Sequence, residues 1–525
     1  MATQPSAKDI RLVIFASSLG TIFEWYDFFI YGTLALLFGK LFFPPGNETA
    51  AVLLALATFG VGFAVRPLGA FVFGFLGDRF GRKYTFLVTI TVMALATAAI
   101  GLLGTYEQIG IAAPLLLVLL RAVQGLAIGG EYGGAAIYVA EHAPAHRRGY
   151  LTGYIQIGAT TGFVLSLLAV LGTTAALGED AWNAWGWRLP FLYSLPLLAI
   201  SLWVRLRLHE SPVFVAMREA GAAARNPIAE SFDSWAKVRR LLAVLVVAAG
   251  QSIVGYVALF QTLNFLQGTQ HVDPTTVRVV MVVATLLAVP ANVWAGAFSD
   301  RIGRKRVVAA GFVLLLLLIF PAFHLMGRLA NPALAQATAA SPVVVTGDDC
   351  RYNPFAQRGQ ATACGAVLDI LSRKGVAYRK ADGAPGSSPA VTIGGIGVDA
   401  TDPAALDRAL AEAGYSFAPV KPPMASLIAI GAIVFVLFVL SALTYGPLAA
   451  WMVELFPARV RYTSLSVPYH IGVGYFSGFM PFIVQYIVAR TGDPFAGFWY
   501  PFTVVAIALA VPLLMLPETR GKELD

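Results

Sequence analysis

Charge is what this 525-residue chain has little of: Asp, Glu, Lys and Arg make up 13% of it, about half the share found in soluble proteins. So few charges cannot coat a soluble surface of this size. The same shortage excludes a disordered chain and a nucleic-acid binder. Only two cysteines occur, which excludes an iron–sulfur protein, a Cys-rich zinc protein and a disulfide scaffold. No Gly-rich phosphate loop, HExxH helix or metal-spaced Cys/His set is found, so ATP-driven pumping, metalloenzyme chemistry and a bound cofactor lack support. No acid, base and nucleophile constellation points to an enzyme. No cleavable signal pattern is expected, because Met1–Arg11 is polar and runs straight into a long apolar segment.

What is present is apolar. Hydrophobic residues reach 58% and the mean hydropathy is +0.71, the signature of an integral membrane protein whose partner is the lipid bilayer. A helix crossing about 30 Å of hydrocarbon needs about 20 apolar residues. Stretches of that kind lie at 12–38, 52–76, 84–104, 113–140, 150–172, 188–208, 241–267, 279–298, 307–327, 425–450, 464–488 and 498–517, which predicts twelve spans. With the N-terminus in the cytoplasm, 22 of the 37 Lys and Arg residues fall in cytoplasmic loops and tails and 4 in short external loops. That bias follows the positive-inside rule and puts both termini in the cytoplasm. It also accounts for the net charge of +8 without an anionic partner.

Two loop motifs repeat. Gly77-Asp78-Arg79-Phe80-Gly81-Arg82-Lys83 closes the second span, and Ser299-Asp300-Arg301-Ile302-Gly303-Arg304-Lys305 closes the eighth, with the aspartates 222 positions apart. Glu141 ahead of Arg147 and Arg148 is echoed 313 positions later by Glu454 ahead of Arg459 and Arg461. The excess of 91 positions is close to the length of the polar stretch 328–424. The fold expected is therefore an all-α polytopic membrane protein of two six-helix halves, with an external α+β insertion between the ninth and tenth spans. The domains are 1–209, a cytoplasmic linker 210–240, a second half made of 241–327 and 425–525, and the insertion 328–424. Within the insertion, Cys364–Lys374 and Pro403–Ala413 read as helices, and Ala377–Lys380 and Val391–Val398 as strands. Cys350 and Cys364 face an oxidising compartment in this topology and are expected to form a disulfide.

Gly77–Lys83, with its second copy in register, resembles the signature of the major facilitator superfamily. Further matches are Arg121-Ala-Val-Gln-Gly125, Glu141-His-Ala-Pro-Ala-His-Arg-Arg148, His209-Glu-Ser-Pro212, Glu454-Leu-Phe-Pro-Ala-Arg459 and Pro517-Glu-Thr-Arg520. The resemblance implies two cytoplasmic ion-pair clusters that latch the outward-open state. One holds Asp78, Arg82, Arg147, Arg148 and Glu210; the other holds Asp300, Arg304, Glu454, Arg461 and Glu518. Within the superfamily, Glu24-Trp-Tyr-Asp-Phe-Phe-Ile-Tyr-Gly32, Arg66-Pro-Leu-Gly69 and Gly129-Gly-Glu-Tyr-Gly-Gly134 look like the metabolite:proton symporter family. Its members carry di- and tricarboxylates, shikimate-like acids or zwitterionic osmolytes. The insertion at 328–424 departs from the family pattern.

Five ionisable residues fall at depth within predicted spans: Glu24, Asp27, Arg66, Arg121 and Glu131. Each costs about 2.5–3.5 kcal/mol at the membrane centre, so they are expected to face a bundle interior. Glu24, Asp27 and Tyr31 share one face of the first helix, and Arg121 and Gln124 one face of the fourth. An Asp on helix one facing an Arg on helix four resembles the proton-coupling pair of sugar–proton symporters, which makes Asp27, with Glu24 second, the expected proton acceptor and Arg121 its modulator. Glu131 is either a second proton stop or a partner for an Arg. Arg66 lies about 16 Å up its helix from Gly77, where a planar guanidinium suits a substrate carboxylate. Gln251, Tyr256, Gln261, Asn264, Asn292, Tyr469 and His470 are candidates to line the cavity or to join helices. The leading reading is proton-coupled uptake of a small organic acid by a monomer in a bacterial-type inner membrane. Uptake of a proline- or betaine-type zwitterion is the alternative, and a transport-derived sensor a more distant one.

Overall fold

The computed structural model describes residues 7–80, 82–130, 136–137, 139–141, 143–206, 230–356, 359–399, 402–457 and 460–524. Among these, eight helical stretches are long and apolar enough to cross a membrane: Glu48–Phe73, Ala145–Leu177, Gly186–Val204, Trp235–Thr269, Pro274–Ile302, Arg304–Ala330, Met424–Leu455 and Arg461–Thr491. Shorter apolar helices occupy Leu87–Leu102, Ala112–Ile128 and Ala496–Val511. A helix at Ala7–Thr33 covers most of the first predicted span, and a separate helix, Ala35–Phe42, follows it.

Local chemistry sets the helix starts. The Asn47 side chain accepts from the Ala50 N–H at 2.9 Å, and Asp273 accepts from the Thr276 N–H at 2.9 Å, each satisfying a donor that a helix N-terminus leaves free. Gly303, at φ +110°, turns the chain between the 274–302 and 304–330 helices, a conformation open to glycine. The Glu518 carboxylate then accepts from the Arg304 and Lys305 N–H groups at 2.9 and 3.1 Å. The positive end of the 304–330 helix therefore holds an acid from the C-terminal segment.

Small residues bring backbones together. A Cβ at Gly125 would stand 2.0 Å from the Gly62 carbonyl oxygen, so only glycine lets the 112–128 helix lie against the 48–64 helix here. The 148–177 helix meets the 274–302 helix the same way: a Cβ at Gly149 would be 2.4 Å from the Gly296 carbonyl oxygen. This is the main seam between the first and second parts of the chain.

Between the 304–330 and 424–445 helices the chain builds a four-stranded sheet of order β2-β1-β3-β4, with β1 Val343–Gly347, β2 Tyr378–Asp382, β3 Ala390–Ile393 and β4 Ile396–Val398. β1 runs parallel to β2 and antiparallel to β3. Helices Ala363–Arg373 and Pro403–Glu412 cover it, and Val345, Leu368, Leu371 and Leu406 form a core of its own. Cys350 and Cys364 are bonded. Two sequence expectations change here. The expected 391–398 strand is a hairpin turned at Gly394 and Gly395, both at positive φ. The central strand β1 had not been expected at all, although Val343-Val344-Val345-Thr346 is a β-branched run.

This sheet unit touches both parts of the helical bundle. Asn47 Nδ2 donates to the Pro354 carbonyl at 2.9 Å, and Arg373 Nη1 to the Gly46 carbonyl at 2.8 Å. On the other side, the Tyr378 N–H donates to the Gly492 carbonyl at 3.1 Å and Lys380 Nζ to the Arg490 carbonyl at 2.9 Å. Val420 exchanges backbone hydrogen bonds of 2.9 Å with His271 and Asp273.

Candidate functional site

Arg66 and Arg121 are both about 1% exposed or less, and they sandwich one ring. The Phe28 centroid lies 4.4 Å from the Arg66 guanidinium carbon and 4.3 Å from that of Arg121. Arg66 also sits 3.9 Å from the Phe63 ring and 5.2 Å from the Trp25 ring. Its Nε and Nη2 atoms are buried with no hydrogen-bond partner among the described residues. Arg121 Nη1 donates to Gln124 Oε1 at 2.7 Å, and its ring neighbours include Tyr31 at 4.6 Å. Among the described residues neither guanidinium forms an ion pair. Two buried cations held against π faces make a strong demand for an anion.

The expected contact between Asp27 and Arg121 is not made. Asp27 Oδ1 accepts a 2.6 Å hydrogen bond from Ser194 Oγ on the 194–206 helix. Successive residues on a helix point about 100° apart. Phe28 is the residue turned toward Arg121, and Asp27 points away to Ser194. Asp27 still joins the same assembly through its backbone, since Gln124 Nε2 lies 3.5 Å from the Asp27 carbonyl oxygen. Glu24 is buried one turn earlier. Gln124 spends its amide on Arg121 and on Thr97 Oγ1 at 2.7 Å. Tyr31 donates to the Ala55 carbonyl at 2.9 Å. These two candidates are thus engaged in holding Arg121 and the helices around it.

From the second part of the chain, Tyr256 brings its ring to 5.3 Å from Phe63 and 6.2 Å from Phe29, next to the ring that covers Arg66. The Tyr256 hydroxyl and both ring nitrogens of His470 are buried without hydrogen-bond partners among the described residues. The helix carrying Tyr256 widens into π-type turns at Val257–Gln261 and Phe265–Thr269, and the one carrying His470 does so at Gly472–Ser477. Such turns mark functional stretches more often than chance. Gln261 is buried within the first of them. Asn264 and Asn292 stand apart. Asn264, two turns or about 12 Å beyond Tyr256, borders a cavity under the sheet unit. Asn292 is buried where its carbonyl oxygen meets Gly153 and Gly446 on packed helices. Glu131 and Glu210, and the side chains of Asp78 and Arg82, lie outside the described residues.

At the other end of the bundle a charge network straddles the seam. Glu454, fully buried, accepts from Arg148 Nη1 at 2.8 Å, Arg304 Nη2 at 3.2 Å and Thr519 Oγ1 at 2.5 Å. Asp300 pairs with Arg304 at 2.5 Å and also accepts from the Gly149 and Tyr150 N–H groups at 2.9 and 2.8 Å. It thereby caps the start of the 148–177 helix from the opposite part of the chain. Arg461 mirrors Arg148 by reaching back to Glu141 at 2.7 Å. The clusters are therefore not sorted by half as expected: Arg148 and Arg461 each cross to the other side. Arg147 takes no part among the described residues, its guanidinium carbon lying 5.3 Å from the Tyr150 ring. Ser194, Thr97, Thr519 and Glu141 join without having been singled out as site residues. Glu141 carried a signal as the repeat-mate of Glu454, and Thr519 as a member of the Pro517–Arg520 match; Ser194 and Thr97 carried none. Among the described residues no three His, Cys, Asp or Glu side chains converge as a metal site would need.

Residues 12–234 match the family model described as sugar (and other) transporter. The chain is similar to a glycine betaine/proline/ectoine/pipecolic acid transporter of Dickeya dadantii (strain 3937), with 36% identity over 60% of this chain and 65% of that protein. It is also 36% identical to the shikimate transporter of Escherichia coli (strain K12), over 61% of this chain and 73% of that protein. The chain belongs to the major facilitator superfamily, in its metabolite:proton symporter branch. The superfamily fold is also that of a solved D-xylose-proton symporter, at TM-score 0.62 and 17% identity, covering 98% of this chain and all of that one. The match spans about two thirds (65%) of the length of the first of these relatives.

Proposed function

We propose that this superfamily member is a proton-coupled symporter that takes up a zwitterionic osmolyte of the proline or betaine type. The observation that carries the reading is Arg66, whose buried Nε and Nη2 lack partners among the described residues while Trp25, Phe28 and Phe63 surround its guanidinium. A guanidinium fork suits a carboxylate, and a set of aromatic faces suits a methylated ammonium. A betaine carries both groups. The rings packed around Arg66 favour the zwitterion over the organic acid expected first. The substrates that the two relatives are named for share the carboxylate, and the first of them is a betaine and proline carrier.

In this reading the chain forms twelve spans in two six-helix halves, 1–209 and 241–327 with 425–525, joined by a cytoplasmic linker, 210–240. Both termini are cytoplasmic, and 328–424 is a domain outside a bacterial inner membrane. Asp27 takes the proton, with Glu24 second, and Ser194 holds its carboxylate ready. The Arg148–Glu454 and Arg461–Glu141 pairs close the cytoplasmic side and break when the halves rock. A neutral zwitterion entering with a proton moves one positive charge, so the membrane potential adds about 2.3 kcal/mol per 100 mV.

Proteoliposomes with an inside-alkaline pH gradient test this. Radiolabelled glycine betaine is expected to accumulate, to leak away with a protonophore, and to accumulate far less in Arg66→Lys, which keeps the charge but loses the fork. Accumulation of shikimate with none of betaine restores the organic-acid reading.

A further inference from the structure

A cavity of about 560 Å³ lies between the sheet unit and the bundle end far from Arg304. Arg328, on its rim, is 24 residues or about 36 Å along the helix from Arg304. Its walls come from the first half at Glu48, from the second at His271 and Arg328, and from the sheet unit at Arg373, Lys374 and Arg379. Four cations thus face one carboxylate. Arg373 is paired with Asp369 at 2.7 Å and Lys374 with Asp407 at 2.5 Å. Arg328 and Arg379 have no ion-pair partner among the described residues.

His271 supplies a second, independent observation. It holds φ at +55°, which a non-glycine residue rarely adopts. Its carbonyl accepts from the Val420 N–H, and the Asp273 N–H two residues on donates to the Val420 carbonyl, which holds the turn in place. Such strain collects where surrounding structure aims a side chain. The Nε2 atom is buried with no hydrogen-bond partner among the described residues, and the ring lines the cavity. Burial lowers its affinity for a proton below that of an ordinary imidazole, so at neutral pH it acts as a neutral donor or acceptor. The volume falls within the roughly 300–1,000 Å³ of small-molecule sites, and a cationic lining concentrates anions.

We propose that this cavity is a second binding site, one that captures the carboxylate group of the solute outside the membrane, with Arg328 and Arg379 as its charged contacts and His271 as its neutral one. The proposal rests on the transport reading above for the identity of the ligand, and it places the first encounter at the sheet unit.

Equilibrium dialysis of the purified full chain with radiolabelled glycine betaine and, separately, shikimate tests the site, with uptake measured in proteoliposomes of the same preparations. Two molecules per chain are expected to bind the wild type and one to bind Arg328→Gln/Arg379→Gln. The KM for uptake is expected to rise about tenfold, the loss of a charge-assisted contact, while the maximal rate holds. His271→Ala is expected to move KM in the same direction by a smaller factor. Wild-type uptake with one bound molecule per chain and an unshifted KM in both variants overturns the capture site and leaves the transport reading intact. Absence of uptake together with binding that disappears in Arg328→Gln/Arg379→Gln overturns the transport reading and supports the site.

Discussion

Replacing Arg148 by Gln loosens the seam in a way that can be worked out. Arg148 donates to Glu454 Oε1 at 2.8 Å, to the Lys522 carbonyl at 2.9 Å and to the Ala140 carbonyl at 3.1 Å. With it gone, Glu454 still holds Arg304 and Thr519, so no buried charge is stranded and the about 3–5 kcal/mol penalty of a broken buried pair does not apply. What is lost is a charge-assisted contact across the halves, about 1.5–3 kcal/mol. At about 1.4 kcal/mol per tenfold, the open population of that end rises about 10- to 140-fold. The two native cysteines are bonded to each other, so one introduced cysteine reports cleanly. Thr152→Cys serves, being buried and on the helical face of Arg148 and Gly149. A maleimide reagent added from the Arg148 side is expected to label Thr152→Cys/Arg148→Gln faster by that factor. Arg147→Gln, outside the network among the described residues, is the control. A rise below about threefold, or an equal rise in the control, refutes the reasoning.

Other substitutions test other parts. Asp27→Asn is expected to abolish uptake driven by a pH gradient and to spare solute exchange in the same liposomes; undiminished acid-stimulated accumulation removes Asp27 from the coupling step. Gly125→Ala pushes a methyl group to 2.0 Å from the Gly62 carbonyl oxygen, so little monodisperse protein is expected in size-exclusion chromatography of a fluorescent fusion, and a normal peak would contradict the packing. Reducing the bond between Cys350 and Cys364, 14 residues apart, is expected to cost the sheet unit about 3 kcal/mol. Hydrogen exchange along β1 reads this directly, and unchanged protection would show that the bond contributes little.

The span pattern was legible because membrane helices announce themselves by composition. Among the described residues, helices long and apolar enough to cross a membrane lie over eight of the predicted spans and shorter apolar ones over three more, and the repeat of Asp78 in Asp300 pointed to the duplication. Partner choice was not legible. Glu141 and Arg461 are 320 positions apart, and only the packing of the halves brings them together. A shared helix face put Asp27 toward Arg121, but a single residue step turns the view by about 100°, and Phe28 took that direction. The strand β1 was hidden by shortness: five residues carry a weak periodic signal, and the register with β2 and β3 that makes it central is tertiary.

The sheet unit is spliced at both ends into the second half, yet Asn47 and Arg373 also fasten it to the first. It therefore acts as a clasp with one sewn side and one snap. Whenever the two halves part at that end, the sewn side travels along and only the snap gives way, at about 1–3 kcal/mol for two hydrogen bonds. That end is held shut by that margin, roughly five- to 140-fold in population, and under the proposed capture a solute that bridges the clasp and the bundle would set how often it opens.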